Sequence, residues 1–182
     1  FYNDASYINI LSNSIKPYLE KEQPDHLLFS YHGVPERHIK KSDITKSHCK
    51  IDGSCCNTPS QAHDFCYRHQ CYETTKLVAE KLNLKEGSYS TSFQSRLGVD
   101  PWLRPYTDQT IAELPNKDIK KLSVITPAFV ADCLETLEEI GMEAKESFVE
   151  CGGDEFSMIP CLNDNDDWAN LLASWINDWA KK

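Results

Sequence analysis

The sequence predicts an α/β protein of three layers, with helices on both faces of a mostly parallel four-stranded sheet. Helix-like and strand-like segments alternate along the chain, the order that right-handed crossover connections produce. The strand candidates are short and largely apolar, which suits strands buried on both faces. No internal repeat or low-complexity linker interrupts the plan, so residues 1–182 read as one domain.

Each element follows in order. From Ala5 to Lys21, residues Ile8, Leu11, Ile15, Tyr18 and Leu19 recur at helical spacing, with Pro17 as a candidate kink. Pro24 and Asp25 break that pattern before the first strand, Leu27-Leu28-Phe29-Ser30-Tyr31. The stretch from Val34 to about Arg68 is polar and cysteine-rich, and reads as an insertion at about 46–71. A helix over Glu73 to Leu82 gathers Leu77, Val78 and Leu82 on one face, and Tyr89 to Gln94 is the next strand. After a loop rich in Gly and Pro (98–105), Thr107 or Asp108 caps a short helix from Gln109 to Leu114. Leu122 to Phe129 is the clearest central strand, leading into a helix from about Asp132 to Ile140 that Gly141 stops. Phe156 to Leu162 is the fourth strand candidate. Asp166 to Ala180 is a terminal helix with Trp168, Leu171, Leu172 and Trp175 at i, i+3, i+4 and i+7.

Composition excludes several classes. A net charge of −9 argues against nucleic acid and against an anionic membrane surface. No apolar run approaches the roughly 20 residues needed to span a bilayer, and no signal-peptide pattern opens the chain. The expectation is a cytoplasmic protein that touches a membrane peripherally at most. Phe1 in place of methionine points to a processed or excised piece.

In open α/β sheets, ligands bind at the carboxyl ends of the strands. His32 follows the first strand candidate and Gln94-Ser95-Arg96 the second. Phe129 and the helix bearing Glu135 follow the third, and Cys161-Leu162-Asn163 the fourth. A histidine and a carboxylate on neighbouring strand ends suit proton transfer or metal binding. The plainer readings are a packed histidine and a capping box, with Asp132 as the cap and Glu135 satisfying backbone donors. Glu138, Glu139 and Glu143 alone read most simply as a solvated helix face.

Three segments carry a resemblance. Residues Leu27 to Pro35, with His32-Gly33-Val34-Pro35 after the strand, are similar to the histidine motif of ferrochelatases. Ser92-Phe93-Gln94-Ser95-Arg96 with Pro101-Trp102-Leu103 resembles a second signature, and Pro127-Ala128-Phe129 with Asp132 to Glu139 a third. The three stand in the family's order and cover nearly the whole chain, but only the family's C-terminal half. The resemblance therefore implies a missing N-terminal partner domain, with the porphyrin cleft between the two. It implies insertion of ferrous iron into protoporphyrin or coproporphyrin, with this half alone nearly inactive.

His32 resembles the family histidine assigned to proton abstraction, metal delivery or both, and Glu135 its carboxylate partner. Glu139 and Glu143 continue Glu135 at i+4 and i+8, an acidic row for protons or hydrated cations. His32, Glu135, Glu139 and Glu143 are thus the candidate ligands of the substrate metal. Tyr31, Trp102 and Phe129 offer flat walls to the macrocycle, and Arg96 suits a propionate. Two positions depart from the family. Ser42-Asp43-Ile44-Thr45 replaces a Gly-Asp-Pro-Tyr-like turn, and Cys133 stands where some members carry histidine.

Five of eight cysteines, Cys49, Cys55, Cys56, Cys66 and Cys71, fall in the insertion. In a reducing compartment such density points to metal before disulfides. The spacing matches no C-x-x-C zinc ribbon, whereas an iron–sulfur cluster needs four thiolates and five are present. Some bacterial ferrochelatases carry a [2Fe–2S] cluster in an insertion at this place. The resemblance thus favours Cys49, Cys66, Cys71 and one of Cys55 and Cys56, with zinc or free thiols as alternatives. Two rival functions follow: a chelatase for another tetrapyrrole and metal, and a non-catalytic iron–sulfur sensor on the same fold.

Overall fold

The computed structural model describes residues 1–181. Asp4 opens the first helix, α1 (Ala5–Glu22), by accepting the backbone N–H groups of Ser6 and Tyr7 at 2.9 and 3.0 Å. Pro17 is carried inside α1 without ending it. Strand β1 (His26–His32) follows, then α2 (Glu36–Ser42), then two short 3-10 turns, Ser54–Asn57 and Gln61–Phe65. Helix α3 (Tyr67–Lys81) leads to β2 (Tyr89–Gln94), and α4 (Thr107–Glu113) to β3 (Lys121–Ile125). Next come α5 (Leu134–Leu137), a π-helical segment (Glu139–Ala144) and α6 (Lys145–Glu150). Strand β4 (Glu155–Met158) and α7 (Asp166–Ala180) complete the chain.

The four strands form one parallel sheet in the order β2-β1-β3-β4, as the alternation of elements implies. The chain leaves β1 toward β2 and later continues on the other side of β1, from β3 to β4. The order thus switches between β1 and β3, where a crevice opens at the carboxyl ends. Alternation along β1 divides the core. Leu27, Phe29 and Tyr31 pack with α1, α3 and Trp168 of α7, while Leu28 packs with Ile111, Ile140 and Phe148 on the opposite face. No described helix is long and apolar enough to cross a membrane.

Several boundaries differ from the sequence reading. Helix α3 begins at Tyr67 rather than Glu73, because Arg68, Cys71, Thr74 and Thr75 form the buried face of its first turns. A buried face of arginine, cysteine and threonine gives no apolar periodicity. Helix α4 takes Tyr106 as its cap, not the side chain of Thr107 or Asp108. The Thr107 hydroxyl is occupied elsewhere, 2.8 Å from those of both Ser30 and Ser92. Strand β3 stops at Ile125, just before Pro127, whose missing N–H cannot continue a ladder. Strand β4 ends at Met158, short of Pro160.

Gly141 does not stop a helix. The chain runs through it in the π-helical segment, and a side chain there would meet Met158 Sδ at 3.5 Å and Thr136 O at 3.6 Å.

Candidate active site

The crevice holds a cavity of about 840 Å³ that His32, Trp102, Glu135, Glu138, Glu139 and Glu143 help to line. His32 ends β1 and is fixed from both sides. Its Nδ1 lies 2.6 Å from Gly33 O, and Tyr67 donates its hydroxyl to His32 O at 2.8 Å. A carbonyl only accepts, so Nδ1 carries the proton. In the neutral ring, Nε2 therefore keeps its lone pair. The imidazole stands 5.9 Å from the ring of Phe129 and 6.4 Å from that of Trp102. Trp102 is itself anchored, donating Nε1–H to Leu97 O at 2.9 Å.

Glu135 does not close a capping box with Asp132. The cap of α5 is Cys133, with Thr136 in the reciprocal position, its hydroxyl accepting the Cys133 N–H at 3.0 Å. Asp132 instead accepts from Asn163 Nδ2 at 2.7 Å and from the Thr136 hydroxyl at 3.1 Å. Glu135 is thereby left to the cavity. The Cys133 thiol, its own backbone N–H and the facing His32 hold its carboxyl below the ordinary 4.5. Burial and the Glu135 carboxylate push the Cys133 thiol up, so it stands as a neutral donor to that carboxylate.

Glu139 is gripped by Ser95, which donates its backbone N–H at 2.8 Å and its hydroxyl to the two carboxylate oxygens. Ser95 holds a left-handed backbone, φ 63°, to do so. Gln94 ties the floor together. It accepts from the Ser30 hydroxyl at 2.7 Å and donates to Glu135 O at 2.8 Å. Glu138, which reads in the sequence as part of a solvated helix face, lines the cavity, and Ser95 serves it by holding Glu139. The i+3 spacing of Glu138 from Glu135 was a usable signal, but the grip of Ser95 depends on a loop conformation that no local pattern announces.

Two expected residues sit differently. Arg96 lines the cavity, but it forms a bidentate pair with Asp108 at 2.7 and 2.8 Å and lies 4.2 Å over the Tyr106 ring. Tyr31 is not a cavity wall. It faces the opposite side of the sheet, 3% exposed, with its hydroxyl 3.0 Å from that of Thr75. Strand alternation puts it there, since His32 points into the crevice and its neighbour must point away.

Among the described residues, no three or more His, Cys, Asp or Glu side chains converge as a ready metal site. His32, Glu135, Glu139 and Glu143 line one cavity, with Glu139 held by Ser95 and Glu135 bonded to the Cys133 thiol. The insertion thiols likewise form no finished four-ligand cage. They do surround an unusual cation. Arg68 is 3% exposed, and its guanidinium donates to Ile51 O at 2.8 Å and to Cys55 Sγ at 3.4 Å. No carboxylate pairs with it among the described residues, and its Nε has no partner. A hydrogen bond between Cys56 and Cys66 pulls the Cys66 thiol down and pushes Cys56 up. Cys49 is half-buried nearby, while Cys71 lies deep in the core, its thiol pushed up by burial. A buried guanidinium ringed by sulfur suits an anionic thiolate assembly, so this donor set fits a cluster once deprotonated.

The Ferrochelatase family model matches residues 1–179. Proteins named Ferrochelatase are also similar. That of Opitutus terrae is 47% identical over 181 residues, covering 100% of this chain and 52% of that protein. Those of Pseudomonas entomophila and Pseudomonas fluorescens are each 49% identical, over 174 and 175 residues. The chain spans about half the length of these curated relatives. With the match running almost end to end, and with His32 and Glu135 facing one crevice at the switch of strand order, the chain belongs to the ferrochelatase family.

Proposed function

We propose that this chain supplies the catalytic wall of an enzyme inserting ferrous iron into a dicarboxylate porphyrin. The observation that carries the reading is the 2.6 Å contact of His32 Nδ1 with Gly33 O, which in the neutral ring leaves the Nε2 lone pair for the substrate. Metalation removes two pyrrole N–H protons for each ferrous ion inserted. Nε2 of His32 takes a proton from the ring, and Glu135, ionised on the facing element, steadies the imidazolium that forms. Glu138, Glu139 and Glu143 then offer successive carboxylates along the same wall for protons leaving or hydrated cations arriving. Trp102 and Phe129 give flat apolar surface to the macrocycle. Arg96 binds a propionate by exchanging the Asp108 carboxylate for the substrate's, a swap between like partners. The cavity is open on one side, and the other half of the whole protein completes the cleft.

The thiols around Arg68 take an iron–sulfur cluster in this reading, with zinc as the alternative occupant. Cys49, Cys55, Cys56 and Cys66 lie nearest the guanidinium, and Cys71 is reached only by opening the core. A bound cluster would supply folding energy to an insertion that has little regular structure of its own.

The test is metalation by the whole protein under anaerobic conditions. Ferrous iron with protoporphyrin or coproporphyrin should be turned over faster than cobalt with sirohydrochlorin. The reverse preference would assign the chain to a different tetrapyrrole chelatase.

A further inference from the structure

The insertion carries three histidines that the active site does not use. His48 Nε2 and His63 Nε2 lie 3.2 Å apart, and each also faces Cys55 O, at 3.1 and 3.2 Å. The three atoms form a nearly equilateral triangle. Hydrogen bonding satisfies it poorly. If both rings donate to the carbonyl, two N–H groups confront each other; if one donates to the other, a carbonyl contact is lost. A cation accepts all three lone pairs at once.

The dimensions agree with one ion. Zn–N bonds of about 2.0–2.1 Å in tetrahedral geometry imply a donor–donor edge of about 3.3 Å, and ring centroids about 5 Å apart for two imidazoles sharing the ion. The His48 and His63 centroids are 5.1 Å apart. The donors are also held from outside. Asp43 accepts the His48 backbone N–H at 2.9 Å. His69 stacks on His63 at 3.6 Å and 14°, and its Nδ1 donates to Cys56 O at 3.2 Å.

We propose that His48, His63 and the Cys55 carbonyl form a site for a borderline divalent transition metal such as zinc, with solvent completing the sphere. It is separate from the thiols, using the backbone oxygen of Cys55 and not its sulfur. The ion closes the segment from His48 to His63 and so staples the insertion. The proposal does not depend on the porphyrin chemistry.

Zinc is added to the anaerobically purified whole protein in two equivalents, so that the thiols can take one. X-ray absorption at the zinc edge should then show imidazole nitrogen in the coordination sphere. His48→Ala and His63→Ala should each lose that imidazole signal and bind the second equivalent at least about tenfold more weakly, since even an outer partner of a ligand is worth about that much. His69→Phe, which keeps the stack, should retain the ion. A sphere of sulfur alone in the unaltered protein, or zinc affinity unchanged in both alanine variants, would overturn the site.

Discussion

His32 is placed by the residue after it, whose carbonyl accepts a hydrogen bond from Nδ1. Gly33 lies so close to β2 that a Cβ would sit 2.9 Å from Gln94 O and 3.2 Å from the Trp102 ring. Gly33→Ala must therefore displace the floor or the wall of the cavity, and metalation should fall while the fold, followed by circular dichroism, persists. Glu135 makes a pH prediction. Its carboxyl lies below the ordinary 4.5 because Cys133 and His32 favour the charged form, so the group is ionised through the neutral range. An acid limb arising from its protonation falls below 4.5, and Glu135→Gln should remove that limb and lower the neutral plateau. A variant profile that keeps the limb would place it on another group. Short motifs mark His32, Glu135 and Trp102 in the sequence, and all three line the one cavity. Tyr31 was misplaced because a motif does not say which face of the sheet each residue takes, although alternation from His32 does.

Elements were legible where one face is apolar and lost where the buried face is polar. Residues 166–180 of α7 and 89–94 of β2 matched the expected bounds, whereas the first turns of α3, buried through Arg68 and Cys71, did not. The π-helical segment was not legible either, since Gly141 reads as a stop until its packing on Met158 is seen. Thr107 joins α4 to the sheet through Ser30 and Ser92 in a fully buried network. Thr107→Val leaves those hydroxyls short of a partner and should cost about 1–3 kcal/mol in denaturant unfolding. At the base of the insertion, Asp43 accepts from the Thr45 hydroxyl at 2.6 Å and from the backbone N–H of Cys49, Thr45 and His48. These bonds push its carboxyl down to about 2 from 3.8. The sign follows: the contribution is present above 3.8 and is lost as pH falls through about 2. Amide exchange at His48 and Cys49 should accelerate in Asp43→Asn at neutral pH, and the unaltered protein should approach the variant only near pH 2. Equal protection in both at neutral pH would contradict this.

At the scale of the molecule, the parallel sheet places its switch of strand order between β1 and β3, and the segments that follow β1, β2 and β3 bring His32, Ser95 and Glu135 to that crevice. Strand order and the open crevice were not readable from periodicity, which ranks strands along the chain and not in space. The crevice has one built wall of aromatics, acid groups and His32, and the relatives are about twice as long. The thiol pocket stands apart in its own insertion, so its occupant and the metalation chemistry are separable by experiment. The claim on which the rest depends is that His32 abstracts a porphyrin proton. It is tested by comparing the unaltered whole protein with His32→Ala, measuring ferrous insertion anaerobically and porphyrin binding by fluorescence quenching. Loss of general base catalysis predicts a rate lower by about 10²–10⁴-fold, with porphyrin affinity within a few-fold of the original. Metalation by the alanine variant at close to the original rate would contradict the account.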